Sequence, residues 1–426
     1  MNARGRAAGT FSRRSMTLSL TVRILIAVVA GLLAGIGIAR LDPSWLGDAH
    51  AVAQTIGTAW LDGLRMTIVP LVFALLVTGV ASAADAARAG SAAGRALLLF
   101  AIGLVAAALF SAALTSSLLA IWPVPAGAAA ELGGRALAPD VKVGLTAEWL
   151  LSFIPVNPVS AAAQGEMVPL VVFALLFGFA VTRIPEQRRE ALLNLFHGIV
   201  DAMLVLVRWV LVLAPIGVFA LAFVAGSRGG LATAGALAQY VTLVVIACAS
   251  VTLLIYPVVA IFGRIGIARF ARGALAAQVI AFSTQSSIAS LPAMIAAIDK
   301  GLDVPERVRN LVLPMAVSLF RVTSSAANIA VALFVASLYG VHLGPAQIVM
   351  GALVAAIVSL AAVGLPSQVS FFTAIGPVCL ALGVPLDVLP LLLAVETVPD
   401  IFRTVGNVTA DMAVTRIAAA REKPGA

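Results

Sequence analysis

Eight stretches of this 426-residue chain are apolar for long enough to cross a membrane: roughly 17–39, 62–83, 95–121, 167–184, 191–225, 232–263, 311–338 and 383–415. Runs of this length joined by short polar connections predict an all-α polytopic membrane protein, because only helices and closed barrels satisfy their own backbone in lipid. Two further apolar stretches, 275–298 and about 345–382, are interrupted near their middles by STQSSIASLP and VGLPSQVS. Proline and small polar residues break a helix there. Broken backbone at membrane depth is tolerated only under protein or beside a water-filled cavity, and a pair of such segments points to a transporter binding site. Two Pro-kinked crossings are the alternative, and they leave the number of crossings even. The segment LTAEWLLSFIPVNPVSAAAQGEMVPLVVF is broken by Pro155, Pro158 and Pro169 and reads as short helices ahead of a span. The 122–148 stretch reads as an exposed outer loop.

Composition narrows the class. Hydrophobic residues make up 62% of the chain and charged ones 11%, with a mean hydropathy of +1.09. A soluble core does not have this balance; a polytopic membrane protein does. The net charge of +8 would suggest nucleic acid in a soluble protein. Here no Lys/Arg run is interleaved with exposed aromatics, so no nucleic-acid partner is expected, and the cations read as topology signals. Arg4, Arg6, Arg13 and Arg14 precede the first span, and Arg88 and Arg95 separate the second and third. Arg183, Arg188 and Arg189 follow the fourth span, Arg264, Arg269 and Arg272 the sixth, and Arg416, Arg421 and Lys423 lie in the tail. The alternate connections hold few cations, so the positive-inside rule puts both termini in the cytoplasm. The run TVRILIAVVAGLLAGIGIA is too long for a signal-peptide core and reads as a retained first helix in the cell (inner) membrane. Cys248 and Cys379 lie in apolar stretches without metal-ligand spacing, and His50, His197 and His342 are scattered. Neither a zinc or haem site nor any resident cofactor is expected.

The last apolar run, LPLLLAVETVPDIFRTVGNVTADMAV, carries the chemistry. At about 100° per residue, Glu396, Asp400, Arg403, Asn407 and Asp411 fall on one helix face. Ionisable groups at membrane depth cost ~2.5–3.5 kcal/mol each on insertion scales, so such a stripe reads as a substrate or ion site. The plain alternative is polar glue between helices, but three acids, one Arg and one Asn exceed what packing needs. An intramembrane serine protease would need a base near Ser286 or Ser287; no histidine lies mid-span near them and no Ser–Lys pair occurs in the spans, so an enzyme is not expected. A dedicated channel would need a ring of charge along an open pore, and one stripe beside two interrupted segments suits an occluded site better.

Several motifs, in order along the chain, carry a family. IVPLVFALLVTGVAS, FIPVNPVSAAAQGEMVPLVVFALLFG, STQSSIASLP, VGLPSQVS and above all DIFRTVGNVTAD resemble segments of the dicarboxylate/amino acid–cation symporters, the glutamate transporter homologues, over nearly the whole chain. The resemblance implies eight transmembrane helices plus two re-entrant helical hairpins, assembled as a homotrimer in the lipid bilayer. It implies an elevator in which a transport domain (95–121 and 226–426) slides against a scaffold (1–94 and 122–225). It also implies roles. Asp400 would hold an α-ammonium group, Arg403 the side-chain carboxylate of aspartate or glutamate, and Asn407 the α-carboxylate, with Thr404 following Arg403 as the pattern requires. Ser286 and Ser287 would present backbone and hydroxyl groups at the first hairpin tip, or serve only as its cap. Gly364, Leu365 and Pro366 would form the tip of an outer gate, and Ser324 is counted with the substrate-binding residues.

The chain departs from the family's pattern where that family binds sodium. Aligned on Leu313–Pro314, the family's Asn-Met-Asp-Gly-Thr motif becomes Phe320-Arg321-Val322-Thr323-Ser324, and its third-helix Tyr and Thr-Ser ligands align with Phe100, Gly103 and Leu104. A hard cation needs oxygen ligands; of the side-chain ligands implied by the resemblance, Asn407 and Asp411 remain. Gln285 stands where many prokaryotic members carry Arg, and Ile401 where animal members often do. These changes suggest that Arg321 supplies a fixed positive charge in place of a cation, with Asp411 as its partner. The coupling ion is then H+ rather than Na+, or there is none, and Glu396 or Asp411 is the candidate proton carrier. The rival places Arg321 against the substrate. A C4-dicarboxylate needs no ammonium partner, which Asp400 argues against, and a neutral amino acid would not need Arg403; Pro399, Gln368, Gln285 and Arg321 leave room for either. Anion conductance can accompany transport in this family.

Overall fold

A computed structural model describes residues 20–41, 44–88, 91–124, 154–229, 231–361 and 367–420. The basic leader, most of the expected outer loop, the second interruption including Gly364, Leu365 and Pro366, and the last residues of the tail lie outside the described residues. Every regular element among those described is a helix. The chain opens with α1 (Leu20–Ala39), α2 (Leu46–Arg88) and α3 (Ser91–Ile121). Next come α4 (Pro158–Gln164), α5 (Met167–Val181), α6 (Glu186–Val212), α7 (Ala214–Gly229) and α8 (Leu231–Phe262). The third group is α9 (Ile267–Thr284), α10 (Ser287–Gly301), α11 (Glu306–Leu319) and α12 (Val322–Leu338). The chain closes with α13 (Pro345–Ala361), α14 (Ser367–Ala381), α15 (Leu389–Val395) and α16 (Thr397–Ala420).

Six of the described helical segments are long and apolar enough to cross a membrane. Large apolar side chains face outward along them, with Leu33, Leu98, Leu253 and Ile261 each more than 60% exposed. Water would penalise that surface at roughly 25 cal/mol per Å²; lipid does not. The protein is an all-α polytopic membrane protein.

Breaks fall where the sequence forces them, and three fall inside runs read above as single spans, that of 311–338 at Phe320–Arg321. The 191–225 run divides at Leu213, with Pro215 in the first turn of α7, where a missing N–H costs no helical bond. The last run divides at Glu396, which caps α15; Pro399 sits in the first turn of α16, and the Asp400 N–H donates to the Glu396 carbonyl at 2.8 Å. The second span is longer than its apolar stretch and reaches back to Leu46. The interruption in 275–298 is a two-residue turn: Gln285 adopts φ +52° at the end of α9, and the Ser286 hydroxyl caps α10 by accepting from the Ala289 N–H at 3.2 Å. α9 and α10 pack on one another as a helical hairpin.

Packing sorts the helices. α1 lies along α7, and α2 along α5, α6 and α7. α3, α8, α9, α11, α12, α13 and α14 pack among themselves, and α8, α9, α11 and α12 surround α16. Between the two sets, Arg65 on α2 pairs with Asp387, in the connection to α15, at 2.8 Å.

The α1–α7 crossing is built on small residues. A Cβ at Gly31 would lie 2.6 Å from the Phe219 carbonyl oxygen, and one at Gly35 would lie 2.3 Å from that of Phe223. Backbones this close are the membrane form of helix association. Gly37, two residues on, has nothing within 4 Å of a built Cβ. Gly35→Leu should therefore destabilise the protein by about 1–3 kcal/mol or more, the usual cost of overpacking, while Gly37→Leu stays near wild type. Thermal unfolding in detergent checks this pair; equal midpoints for the two variants would contradict the crossing.

Candidate functional site

The site forms where α16 faces a break in the span made by α11 and α12. Phe320 and Arg321 are unwound there, at φ −98°, ψ 73° and φ −96°, ψ 66°. Unwinding leaves the first N–H groups of α12 without intrahelical partners. Asn407 supplies one. Its Oδ1 accepts from the Thr323 N–H at 3.0 Å and the Ser324 N–H at 3.4 Å, and its Nδ2 donates to the Ser324 hydroxyl at 3.0 Å. The Thr323 hydroxyl lies 2.7 Å from Asn407 Oδ1 and 2.6 Å from the Arg403 carbonyl, and its single proton serves one at a time. α16 approaches this end closely because residue 406 is glycine: a Cβ there would sit 2.3 Å from Thr323 Cγ2 and 2.4 Å from the Thr252 hydroxyl.

All five residues of the polar stripe are buried, between 1% and 5% exposed, and so is Thr404. Arg403 does not rest mainly on Asp400, as an i, i+3 pair would. Its Nη2 donates to Glu396 Oε1 in a short ion pair, and its Nη1 lies 3.9 Å from Asp400 Oδ1. Glu396 also accepts, on Oε2, from the Tyr240 hydroxyl of α8. Tyr240 is fully buried, its ring 5.4 Å from that of Phe334. Sequence reasoning passed over Tyr240; the signal was a phenol inside an otherwise apolar span, where its O–H needs a partner.

Asp411 and then Asp400 are the acids whose charges act on Arg321 through space. The expected direct Arg321–Asp411 pair is not formed: among the described residues no N···O approach between them falls within 4.0 Å. Arg321 Nε and Asp411 Oδ1 are both buried without a hydrogen-bond partner.

The positions aligned with lost sodium ligands do come together. Phe100 on α3 stacks on Phe320 with centroids 4.9 Å apart and planes 20° from parallel. A Cβ at Gly103 would lie 2.8 Å from the Phe320 ring, so glycine makes the room the ring occupies. Val322 is buried beside them, and the Leu104 carbonyl is taken by the Ser325 hydroxyl at 3.1 Å. The hairpin serines are half-buried at the α9–α10 turn, and among the described residues no hydrogen bond joins them to α16. The hairpin is tied to α16 lower down: Gln278 donates to Thr409 at 2.7 Å and to the Tyr256 hydroxyl at 2.9 Å.

A buried stripe of charge faced by a broken helix and a helical hairpin is the arrangement by which membrane transporters hold small polar substrates. The profile of the sodium:dicarboxylate symporter family matches residues 20–421. The chain belongs to that family. Among its relatives is the proton/glutamate-aspartate symporter of Escherichia coli (strain K12), 28% identical over 408 residues, 93% of this chain and 91% of the relative. A C4-dicarboxylate transport protein of Azorhizobium caulinodans is 26% identical, over 96% of this chain and 91% of its own length. The neutral amino acid transporter B(0) of Bos taurus is 30% identical, over 95% of this chain and 80% of its own length. The sodium:dicarboxylate symporter family is made up of transporters, and its named members divide over substrate class and over proton or sodium as the coupling ion.

Gly406→Ala tests the α16–α12 contact. The added methyl has no room beside Thr323 and Thr252, so it must pull Asn407 from the end of α12. Uptake of substrate into proteoliposomes should fall by at least ~10-fold, the loss of about one buried hydrogen-bonded contact at the site. Full uptake by this variant would show that the contact does not matter for transport.

Proposed function

We propose that this chain is a secondary active transporter of acidic amino acids, aspartate or glutamate, whose coupling does not use the family's usual sodium sites. The observation that carries the second half is the Phe100–Phe320 stack over Gly103. Hydrocarbon rings offer no oxygen to a hard cation. Arg321 is the fixed positive charge that takes over, acting on Asp411 and Asp400 through space.

The substrate half follows from the donor set. Asp400 suits an α-ammonium group, the Arg403 fork suits a carboxylate, and Asn407 with Ser324 and the end of α12 suits the second carboxylate. Thr404, Ser286, Ser287, Gly364 and Pro366 complete the pocket in this reading. The packing of α3, α8–α14 and α16 chiefly on one another, and of α1, α2 and α5–α7 chiefly on one another, supports a transport domain carried as one body past a scaffold. Helices 1 and 2 with the 122–225 region would make that scaffold and the contacts of a homotrimer, in the cell membrane with both termini cytoplasmic.

Charge bookkeeping supports proton coupling. With every group ionised, Glu396, Asp400 and Asp411 against Arg403 and Arg321 leave the cluster at −3 + 2 = −1. An acidic amino acid adds another negative charge, and burying an uncompensated ion costs several kcal/mol. A proton entering with the substrate removes that cost.

Reconstituted protein should take up labelled aspartate down a proton gradient at a rate that changes less than about twofold when sodium is replaced by choline. Glutamate should compete; succinate and serine should not. Uptake that strictly requires sodium would sink the coupling assignment, and displacement by succinate or serine in place of glutamate would move the substrate to the dicarboxylate or neutral class. Current that flows without any substrate would favour an anion channel. Arg321→Met should restore sodium dependence only together with Phe320→Asn and Val322→Asp.

A further inference from the structure

The pairing of Arg403 has a consequence beyond substrate recognition. The guanidinium proposed to receive the substrate's carboxylate already holds a carboxylate of the protein, that of Glu396. Both side chains are buried, 6% and 3% exposed. Two carboxylates cannot both take the same fork of a buried Arg403 without adding an unpaired charge to a dry site.

We propose that Glu396 is an internal stand-in for the substrate, occupying Arg403 while the site is empty and giving it up to the substrate's carboxylate as Glu396 takes a proton. The proposal rests on the reading of the site as one for acidic amino acids. The step balances as written. One proton from the aqueous compartment facing the open site forms an O–H bond on Glu396; no other covalent bond changes. The Arg403–Glu396 ion pair is exchanged for an Arg403–substrate ion pair. The cluster begins at −1; an acidic amino acid brings −1 and the proton +1, so it remains at −1. Release on the other side of the membrane reverses the exchange and frees the proton there.

The surroundings of Glu396 fit such an exchange. Tyr240 donates to Oε2 when Glu396 is ionised. A phenol is both donor and acceptor, so the same hydroxyl accepts from the carboxylic acid once the proton is on. Arg403 is a donor only and serves the ionised form alone. One partner thus keeps Glu396 satisfied in both states, and the other is released by the change. The remaining groups that act on Glu396 are Asp400 on α16, which opposes its charge, and Cys248 on α8. α12 contributes the Phe334 ring behind Tyr240, and among the described residues α1, α7 and α14, packed on α15, add no charge that acts on Glu396. Tyr240 is a positioning residue in this scheme: it holds Glu396, and it does not touch substrate.

Proton uptake measured with a pH indicator in weakly buffered detergent solution tests the exchange on the purified full-length protein. Wild type should take up about one proton per aspartate bound. Glu396→Gln should take up none, and its aspartate affinity should be flat across the neutral range and about tenfold tighter at alkaline pH, because the internal competitor is gone. Tyr240→Phe should keep the proton but move the pH profile of binding to higher pH, since the bond lost from the ionised form is the stronger one. Glu396→Gln that still takes up a proton with the wild-type profile overturns the proposal. So does wild type that binds aspartate with no proton, a readout that stands even if the Gln variant fails to fold. Wild type that binds no acidic amino acid overturns the substrate reading, and the exchange with it.

Discussion

The unwound pair Phe320–Arg321 is the constraint on which the rest of the structure depends. Opening a helix in the middle of a membrane span strands backbone N–H groups in apolar surroundings, at ~1–3 kcal/mol for each one left unsatisfied. Here Asn407 on α16 accepts from the Thr323 and Ser324 N–H groups, and Gly406 lets α16 come close enough to do so. That contact fixes the rotation of α16 about its axis. The same rotation turns Glu396, Asp400, Arg403 and Asp411 inward together, because they share a face with Asn407. The break and the polar stripe are therefore one feature: neither is tolerable at membrane depth without the other.

Much of this was legible in the sequence, and the legible parts share a cause. Charges within LPLLLAVETVPDIFRTVGNVTADMAV stand out because an apolar run leaves nothing else to explain them. The STQSSIASLP break stands out because Ser286 and Pro292 are poor residues for a span, and the turn lies at Gln285–Ser286. Pro215 was equally visible, yet a proline in the first turn of a helix starts it rather than kinks it, and the 191–225 run is two helices. What sequence could not give were contacts set by the turn of a backbone. Arg403 pairs with Glu396, seven residues back across the division between α15 and α16, in preference to Asp400 three residues back. Arg321 and Asp411 form no direct pair, and each keeps a buried polar atom without a hydrogen-bond partner. Tyr240 reaches Glu396 from a helix 156 residues away, a distance no spacing rule spans.

The departures from the family's sodium motif gain meaning from packing. Phe100, Gly103, Phe320 and Val322 were separate substitutions in the sequence. In the fold they are one object, a pair of stacked rings seated on a glycine. Restoring a single oxygen ligand there would leave at least one ring in place, and a hard cation needs a full shell.

A fixed arginine and a bound cation are not equivalent, and the difference assigns the remaining roles. Both lower the cost of burying Asp411 and an anionic substrate. A cation that binds with the substrate and leaves with it also carries the free energy of its own gradient; Arg321 is covalently attached and carries none. In the reading proposed above, filling the cation's place with a side chain keeps the electrostatics and discards the energy source. If transport is to be uphill, some other positive charge must enter and leave with each substrate. Glu396 is held by a partner, Tyr240, that can serve it both ionised and neutral. On the function proposed above, the loss of cation ligands beside Arg321 and the pairing of Glu396 with Arg403 are two sides of one arrangement, in which a proton moves with the substrate.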